Sequence, residues 1–182
     1  MRIIAGEYGG RRLESLSGQN TRPTSDKIKE TLFNIIGPYF DGGMVLDLYA
    51  GSGALGIEAV SRGMDQAVLV DKNRAAIQVI SNNVKVTKEE HKFDILNKPA
   101  EIALNQLRNH TEPFSLVFLD PPYAEQKLEQ VILQLQEYAL LTEEALVICE
   151  VSSEVILPEK IGELSLNDER KYGKTKLYFF KK

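Results

Sequence analysis

Val45-Leu46-Asp47-Leu48-Tyr49-Ala50-Gly51-Ser52-Gly53-Ala54-Leu55-Gly56 reads as a strand, a glycine turn and the start of a helix. Gly51, Gly53 and Gly56 satisfy G-x-G-x-x-G, and Asp71 closes the next apolar run 24 positions after Asp47. Glycines let backbone approach a ligand closely, and a helix that follows offers unpaired N–H groups. An acidic residue at the end of the second strand can accept both hydroxyls of a ribose. Alone, such a turn fits dinucleotide enzymes and many tight βα turns. Asp47 narrows the choice. A carboxylate four residues before the first glycine would repel a pyrophosphate, whereas it suits a ligand carrying an ammonium group and a sulfonium, the charge pattern of S-adenosylmethionine. The plainer alternative is that Asp47 caps the turn through backbone N–H groups.

Outward from this turn, short β-branched runs alternate with amphipathic segments, which predicts βαβ units on a largely parallel sheet. The expected strands are 44–49, 66–71, 91–96, 115–119 and 145–151. Leu128, Val131, Ile132 and Leu135 follow a helical stripe, and Ile77, Ile80 and Val84 nearly so. The ends differ from the middle. Residues 2–5 and 11–13, joined across Gly9-Gly10, read as a hairpin, and 25–36 as a helix that begins after Pro23 and stops at Gly37-Pro38. Residues 163–172 and 174–181 flank Gly173 as two antiparallel strands. The expected fold is α/β: a Rossmann-like, mostly parallel sheet with an antiparallel C-terminal hairpin and a small N-terminal hairpin plus helix. One domain over 1–182 is expected, with 1–40 an extension and 41–182 the core.

A second motif lies downstream. Leu116-Val117-Phe118-Leu119-Asp120-Pro121-Pro122-Tyr123 is a buried-strand pattern ending in a charge, two prolines and an aromatic. Two prolines fix φ and remove two donors, so the loop is stiff and its carbonyls face outward. The Asp120 carboxylate and the Pro121 carbonyl can accept hydrogen bonds from an exocyclic amine, turning its lone pair toward an electrophile, and Tyr123 can stack on a flat base. A double proline that merely ends a strand is the simpler reading of the tetrapeptide by itself.

Composition bounds the rest. The 182 residues are 43% apolar and 26% charged, enough for a single sizeable core. The formal charge is −4, but residues 1–29 carry +3, residues 168–182 carry +4 and the remainder −11. Basic ends around an acidic middle can mark a nucleic-acid face that the net value hides, or can simply solubilise the termini. One cysteine, Cys149, among apolar neighbours reads as a buried core residue. His91 and His110 lack ligand-spaced partners, so no metal is expected. No apolar run approaches a membrane span and the N-terminus does not read as a signal peptide, so the expected setting is reducing and cytoplasmic, with no membrane partner.

With these motifs in place, the chain resembles the class I S-adenosylmethionine-dependent methyltransferases that act on amines, whose hallmark is (Asp/Asn)-Pro-Pro-(Tyr/Phe). More closely it resembles the RsmD-type 16S rRNA guanine-N2 methyltransferases, through Arg2–Gly6 with Gly10–Leu13, Arg22–Lys27 with Glu30–Asn34, the glycine turn, Asp120–Tyr123 and Tyr172-Gly173. The resemblance implies methylation of a guanine N2 in 16S rRNA, within a 30S subunit or an assembly intermediate, by a monomer. It implies that Asp47, Tyr49, Gly51, Ser52, Gly53, Asp71 and Lys72 hold S-adenosylmethionine, with Asp71 on the ribose. Asp120, Pro121, Pro122 and Tyr123 would hold the amine. Arg11, Arg12, Arg22, Thr24, Arg170, Lys171, Tyr172 and Lys174 would face RNA, phosphate contacts among them positioning it without reading sequence. Arg22-Pro23-Thr24 could instead only start a helix, with Thr24 or Ser25 as N-cap. Many relatives carry a polar or acidic residue after the third strand to read the adenine amine; here Leu96-Asn97-Lys98-Pro99-Ala100-Glu101 stands in its place, and Asn97, a backbone group or nothing plays that part.

Three other functions compete. A DNA or RNA adenine-N6 methyltransferase would use the same tetrapeptide, although no stretch is long enough for a separate target-recognition region. An NAD-dependent oxidoreductase leaves Asp47 and Asp120–Tyr123 without a role. A non-catalytic ribosome-assembly factor would use only the basic ends.

Overall fold

The computed structural model describes residues 1–17, 25–109, 112–122 and 125–182. Its strands are β1 (Met44–Asp47), β2 (Gln66–Asp71), β3 (Phe93–Asn97), β4 (Phe114–Leu119), β5 (Leu141–Ser152), β6 (Lys160–Ile161), β7 (Leu164–Tyr172) and β8 (Thr175–Lys181). Its helices are α1 (Asp26–Ile36), α2 (Ala54–Ser61), α3 (Arg74–Thr87), α4 (Ala100–Leu107) and α5 (Glu125–Glu137). The strands form one sheet in the order β3-β2-β1-β4-β5-β8-β7-β6. The first five are parallel neighbours, and β8 then pairs antiparallel with both β5 and β7. This is the α/β architecture expected, a mostly parallel sheet closed by an antiparallel C-terminal hairpin.

Boundaries moved for local reasons. β1 stops at Asp47, because Leu48 and Tyr49 already belong to the turn. His91 and Lys92 form a short 3-10 turn before β3, and β5 begins four residues earlier than expected. The N-terminal hairpin is a single bridge, Arg2 to Arg12, flanked by Ile3 N–H to the Arg11 carbonyl at 2.9 Å and Gly10 N–H to the Ile3 carbonyl at 2.8 Å. Ser25, not Thr24, is the N-cap of α1; its hydroxyl accepts from Ile28 N–H at 3.2 Å.

Strands covered on both faces alternate their side chains between two cores. Leu46, Val68, Val117 and Val147 point toward α4 and α5, where Leu104, Leu128, Val131, Ile132 and Leu135 meet them. Val45, Leu69, Leu116, Phe118 and Ile148 point toward Phe33 of α1, Ile57 and Val60 of α2, and Ile80 of α3. Each such side chain contributes about 1.5–3 kcal/mol when fully buried. Cys149 is buried in the first core.

A buried ionic hub fastens the N-terminal segment to this frame. Glu58 of α2 is 0% exposed and accepts from Ile4 N–H at 2.9 Å, Ala5 N–H at 3.1 Å and Arg62 Nε at 2.8 Å. Lys29 of α1, also fully buried, lies 3.6 Å from it and donates to the Arg2 carbonyl at 2.6 Å. Arg62 in turn reaches the Pro38 carbonyl at 3.2 Å and stacks over Phe33. Hairpin, α1 and α2 therefore share one set of charges.

Strand order reverses between β1 and β4: the chain proceeds to β2 and β3 on one side, then crosses to β4 and β5 on the other. The crevice at the carboxyl ends of β1 and β4 is where an open α/β sheet builds its site.

Candidate active site

Three neighbouring strands carry carboxyl groups on one face at or near their carboxyl ends. Asp47 is the last residue of β1, Asp120 follows β4 directly, and Glu150 lies in β5 one residue past the Cys149 that pairs with Leu119. Each sits two residues beyond a side chain of the second core, Val45, Phe118 and Ile148 respectively, so all three share the face that carries α1 and α2. A small cavity lies there, walled by Leu32, Leu55, Phe118, Ile148 and Leu177 and bordered by Asp120 and Glu150.

Apolar walls make charge expensive. Asp47 is 2% exposed, and burial pushes its carboxyl up to about 7. A 3.3 Å hydrogen bond from Gly56 N–H works against that rise, while the charges of Asp71 and Glu150 add to it. Asp120 is raised well above the carboxylate range, first by burial and then by Glu150 and Asp47. The capping alternative for Asp47 is thus half right: it does accept from a turn N–H, but one long bond leaves a desolvated acid that a cation would complete.

The glycine turn is held from several sides. Gly51 and Gly53 adopt left-handed φ of +59° and +81°, which side chains resist. A Cβ on Gly56 would meet Leu69 Cδ2 at 2.3 Å, so this glycine lets α2 settle onto β2. Asp71 accepts from Gly51 N–H at 3.0 Å and from Asn73 N–H at 2.8 Å, tying the end of β2 to the turn and to the start of α3. Asn97 Nδ2 donates to the Asp71 carbonyl at 3.0 Å, and Lys98 N–H to the same oxygen at 3.1 Å, so the end of β3 joins this rim. Ser52 is half-buried and Lys72 exposed. Tyr49 is half-buried against the first core, its phenol pushed up to about 12 by burial and by Glu101 and Cys149.

Other expected site residues separate. Pro121 and Pro122 follow Asp120 at the crevice, half-buried and exposed in turn. Tyr123, Arg22 and Thr24 lie outside the described residues. β8 starts at Thr175 opposite Ser152, the carboxyl end of β5, so the β7–β8 tip stands at the same sheet edge as Asp120. That brings Arg170, Lys171 and Lys174 there as exposed side chains, Arg170 paired to Asp168 at 2.9 Å, with Tyr172 packed against the second core. Arg11 goes elsewhere: its guanidinium donates to the Val86 and Thr87 carbonyls at 2.9 Å and stacks over Tyr8. Those carbonyls end α3 at the amino edge of the sheet, opposite Asp120. Arg12 is exposed on the hairpin.

Glu150 escaped the sequence reading because a single acid inside Val147-Ile148-Cys149-Glu150-Val151 looks like a solvent-facing strand position; its register against Asp120 is a tertiary fact. Among the described residues no group of three or more histidine, cysteine or acidic side chains could hold a metal, and no helix is long and apolar enough to cross a membrane. A cleft of about 410 Å³ between β3 and the end of α4 lies at the opposite edge, away from these groups.

Chemically, the crevice offers a desolvated carboxyl beside a glycine turn, which fits an ammonium-bearing cofactor. Beside it lies a carboxyl that burial and neighbouring acids push toward protonation, at the head of two prolines, which fits a weakly basic amine.

The whole chain has counterparts. A family model described as "Conserved hypothetical protein 95" matches residues 1–181. Over all 182 residues the chain is 44% identical to the Bacillus subtilis protein named "Putative rRNA methyltransferase YlbH", covering 99% of it. It is 36% identical over 173 residues to "Ribosomal RNA small subunit methyltransferase D" of Escherichia coli (strain K12), covering 95% of this chain and 85% of that protein. The solved structure of Escherichia coli yhhF superposes with a TM-score of 0.85 at 35% identity, over 100% of this chain and 97% of the other.

Proposed function

The chain belongs to the family described as Conserved hypothetical protein 95, and from that premise we propose that it transfers the methyl group of S-adenosylmethionine to the exocyclic N2 amine of a guanine in small-subunit rRNA. The coarser part, S-adenosylmethionine-dependent methylation of rRNA, rests on that membership and on the relatives named above. That the acceptor is an exocyclic amine is supported by one observation: the Asp120 carboxyl heads two prolines at the switch-point crevice, beside the buried acid of the glycine turn. The choice of guanine N2 over adenine N6 is supported by the resemblance carried by the N-terminal hairpin and Arg22–Lys27.

Asp47, Gly51, Ser52 and Gly53 would hold the methionine portion of the cofactor, with Tyr49 and Lys72 beside them and Asp71 toward the ribose. Bound there, S-adenosylmethionine supplies an electrophilic methyl group on a sulfonium. Asp47 ionises against the ammonium group, so a cost in the empty protein becomes an attraction in the filled one. Asp120 and the Pro121 carbonyl accept the two N–H bonds of the amine. This would draw the nitrogen lone pair out of conjugation and hold it toward the crevice in which the methyl donor would be bound. No proline N–H competes for those acceptors. As the N–C bond would form, the methyl–sulfur bond would break with its electron pair left on the cofactor's sulfur, now a neutral thioether. The amine proton becomes strongly acidic, and Asp120 in its ionised form, whose carboxyl holds a proton well, would take it. Tyr123 stacks on the base.

The exposed Arg170, Lys171 and Lys174 at the same edge receive RNA phosphates. A single-stranded or extruded guanine reaches the crevice, and the protein works as a monomer on a partly assembled 30S particle in the cytoplasm. The test is transfer of a tritiated methyl group to small-subunit particles that lack the modification, followed by nucleoside analysis. N2-methylguanosine is expected; N6-methyladenosine would overturn the guanine reading.

A further inference from the structure

Asn83 is a polar side chain with no exposure, placed in the C-terminal half of α3, and its side-chain hydrogen bonds leave that helix. Its Oδ1 accepts from Glu14 N–H at 2.7 Å, and its Nδ2 donates to the Glu14 carbonyl at 3.0 Å and to the Ser52 carbonyl at 2.8 Å. The first two bonds copy the paired bonds between neighbouring strands, with an amide side chain in place of the second strand. The third enters the glycine turn. The Ser52–Gly53 peptide is thereby tied at both ends, since Gly53 N–H donates to the Ala50 carbonyl at 2.8 Å.

Its surroundings bear on the same two segments. Asn82 Nδ2 donates to Glu14 Oε2 at 3.1 Å, holding that residue by its side chain as well. Ile80, one turn earlier on α3, packs 3.5 Å from where a Cβ on Gly53 would stand. Leu13 is buried, and Leu16 brings Cδ1 within 3.7 Å of the corresponding point on Gly51. Residues 13–17 therefore climb from the hairpin along α3 and come to rest on the turn.

We propose that Asn83 is a positioning residue for the cofactor turn, fixing Ser52 and the segment 13–17 in one arrangement so that the N-terminal segment forms part of the cofactor site. The proposal rests on Gly51–Gly53 being the cradle of S-adenosylmethionine. An amide suits the task because it presents one acceptor and two donors in one plane, matching one N–H and two carbonyls. Asparagine to aspartate keeps shape and volume but replaces Nδ2 by an oxygen that faces the two carbonyls it had served.

The experiment measures S-adenosylmethionine binding by calorimetry for the wild type and Asn83→Asp, with near-ultraviolet circular dichroism to establish native packing. A tenfold or greater rise in Kd is expected, with kcat at saturating cofactor and RNA within about threefold of wild type. A natively packed Asn83→Asp protein whose Kd stays within twofold overturns the proposal. If Asn83→Asp does not fold, Glu14→Pro decides by the same thresholds, since it removes the N–H bonded to Oδ1 and leaves α3 untouched. A wild type that binds no S-adenosylmethionine overturns the cradle reading together with this one, whereas binding by the wild type with an unchanged variant overturns this one alone.

Discussion

Asp47 occupies a position where ionisation is disfavoured until a cation arrives. Its folded value, about 7, lies above its ordinary 3.8, so the stability it contributes is complete below about pH 4 and declines as pH rises toward 7. The loss is about 1.4 kcal/mol for each pH unit between the two values. The melting temperature of the cofactor-free wild type should therefore fall relative to that of Asp47→Asn between pH 4 and 7, followed by thermal denaturation across that range. Cofactor affinity should move the other way, strengthening as pH rises through about 7 in the wild type, while Asp47→Asn binds at least a hundredfold more weakly without that dependence. Asp120→Ala should lower transfer by a factor of about 10² to 10⁴ while leaving the Kd for S-adenosylmethionine within about threefold. Glu150→Gln removes a charge that helps hold Asp120 up, so the acid limb of the kcat/KM profile should shift to lower pH; an unmoved limb would mean that the two carboxyls do not sense each other. Asp47 and Asp120 were legible in the sequence because each stands at a strand end beside a motif with a chemical reason for it. Glu150 and Asn83 were not, because one lies inside an apolar strand and the other inside a helix, where only packing assigns their partners.

At the scale of elements, Glu58 decides how the N-terminal hairpin and α1 sit on α2. Replacing it by Gln leaves Arg62 buried without its countercharge and Lys29 with only the partly exposed Asp26 at 4.0 Å, at a cost of about 3–5 kcal/mol. Urea denaturation of Glu58→Gln should show a midpoint lowered accordingly. The parallel strands and the C-terminal hairpin could be read from β-branched runs and turn residues. The hub could not, since Lys29, Glu58 and Arg62 resemble ordinary helical surface charges until α1 and α2 are set side by side. Arg11 illustrates the same limit: its charge is visible in the chain, but its place against the end of α3 depends on which end of a helix the hairpin reaches.

Over the whole molecule, the net charge of −4 conceals a division that the sheet arranges in space. Arg170, Lys171 and Lys174 arrive at the sheet edge of Asp120 because β8 runs antiparallel to β5, whereas Lys181, opposite Leu146, and Arg11 are held at the far edge. Lys171→Glu combined with Lys174→Glu should weaken RNA binding and reduce the slope of log affinity against log salt by about one per lost phosphate contact. Filter binding over a salt series measures this, and an unchanged slope would place the RNA path elsewhere.

The antiparallel insertion of β8 also bears on folding. β7 and β8 are joined by a short turn, which makes their pairing local, whereas the pairing of β8 with β5 spans more of the chain. Until that second pairing forms, Leu146–Ser152 presents an apolar strand with unpaired backbone groups along one side, a template for pairing between molecules. Slow docking of the hairpin would thus show itself first as aggregation during refolding, while a chain that had completed this step would be protected by its own last strand.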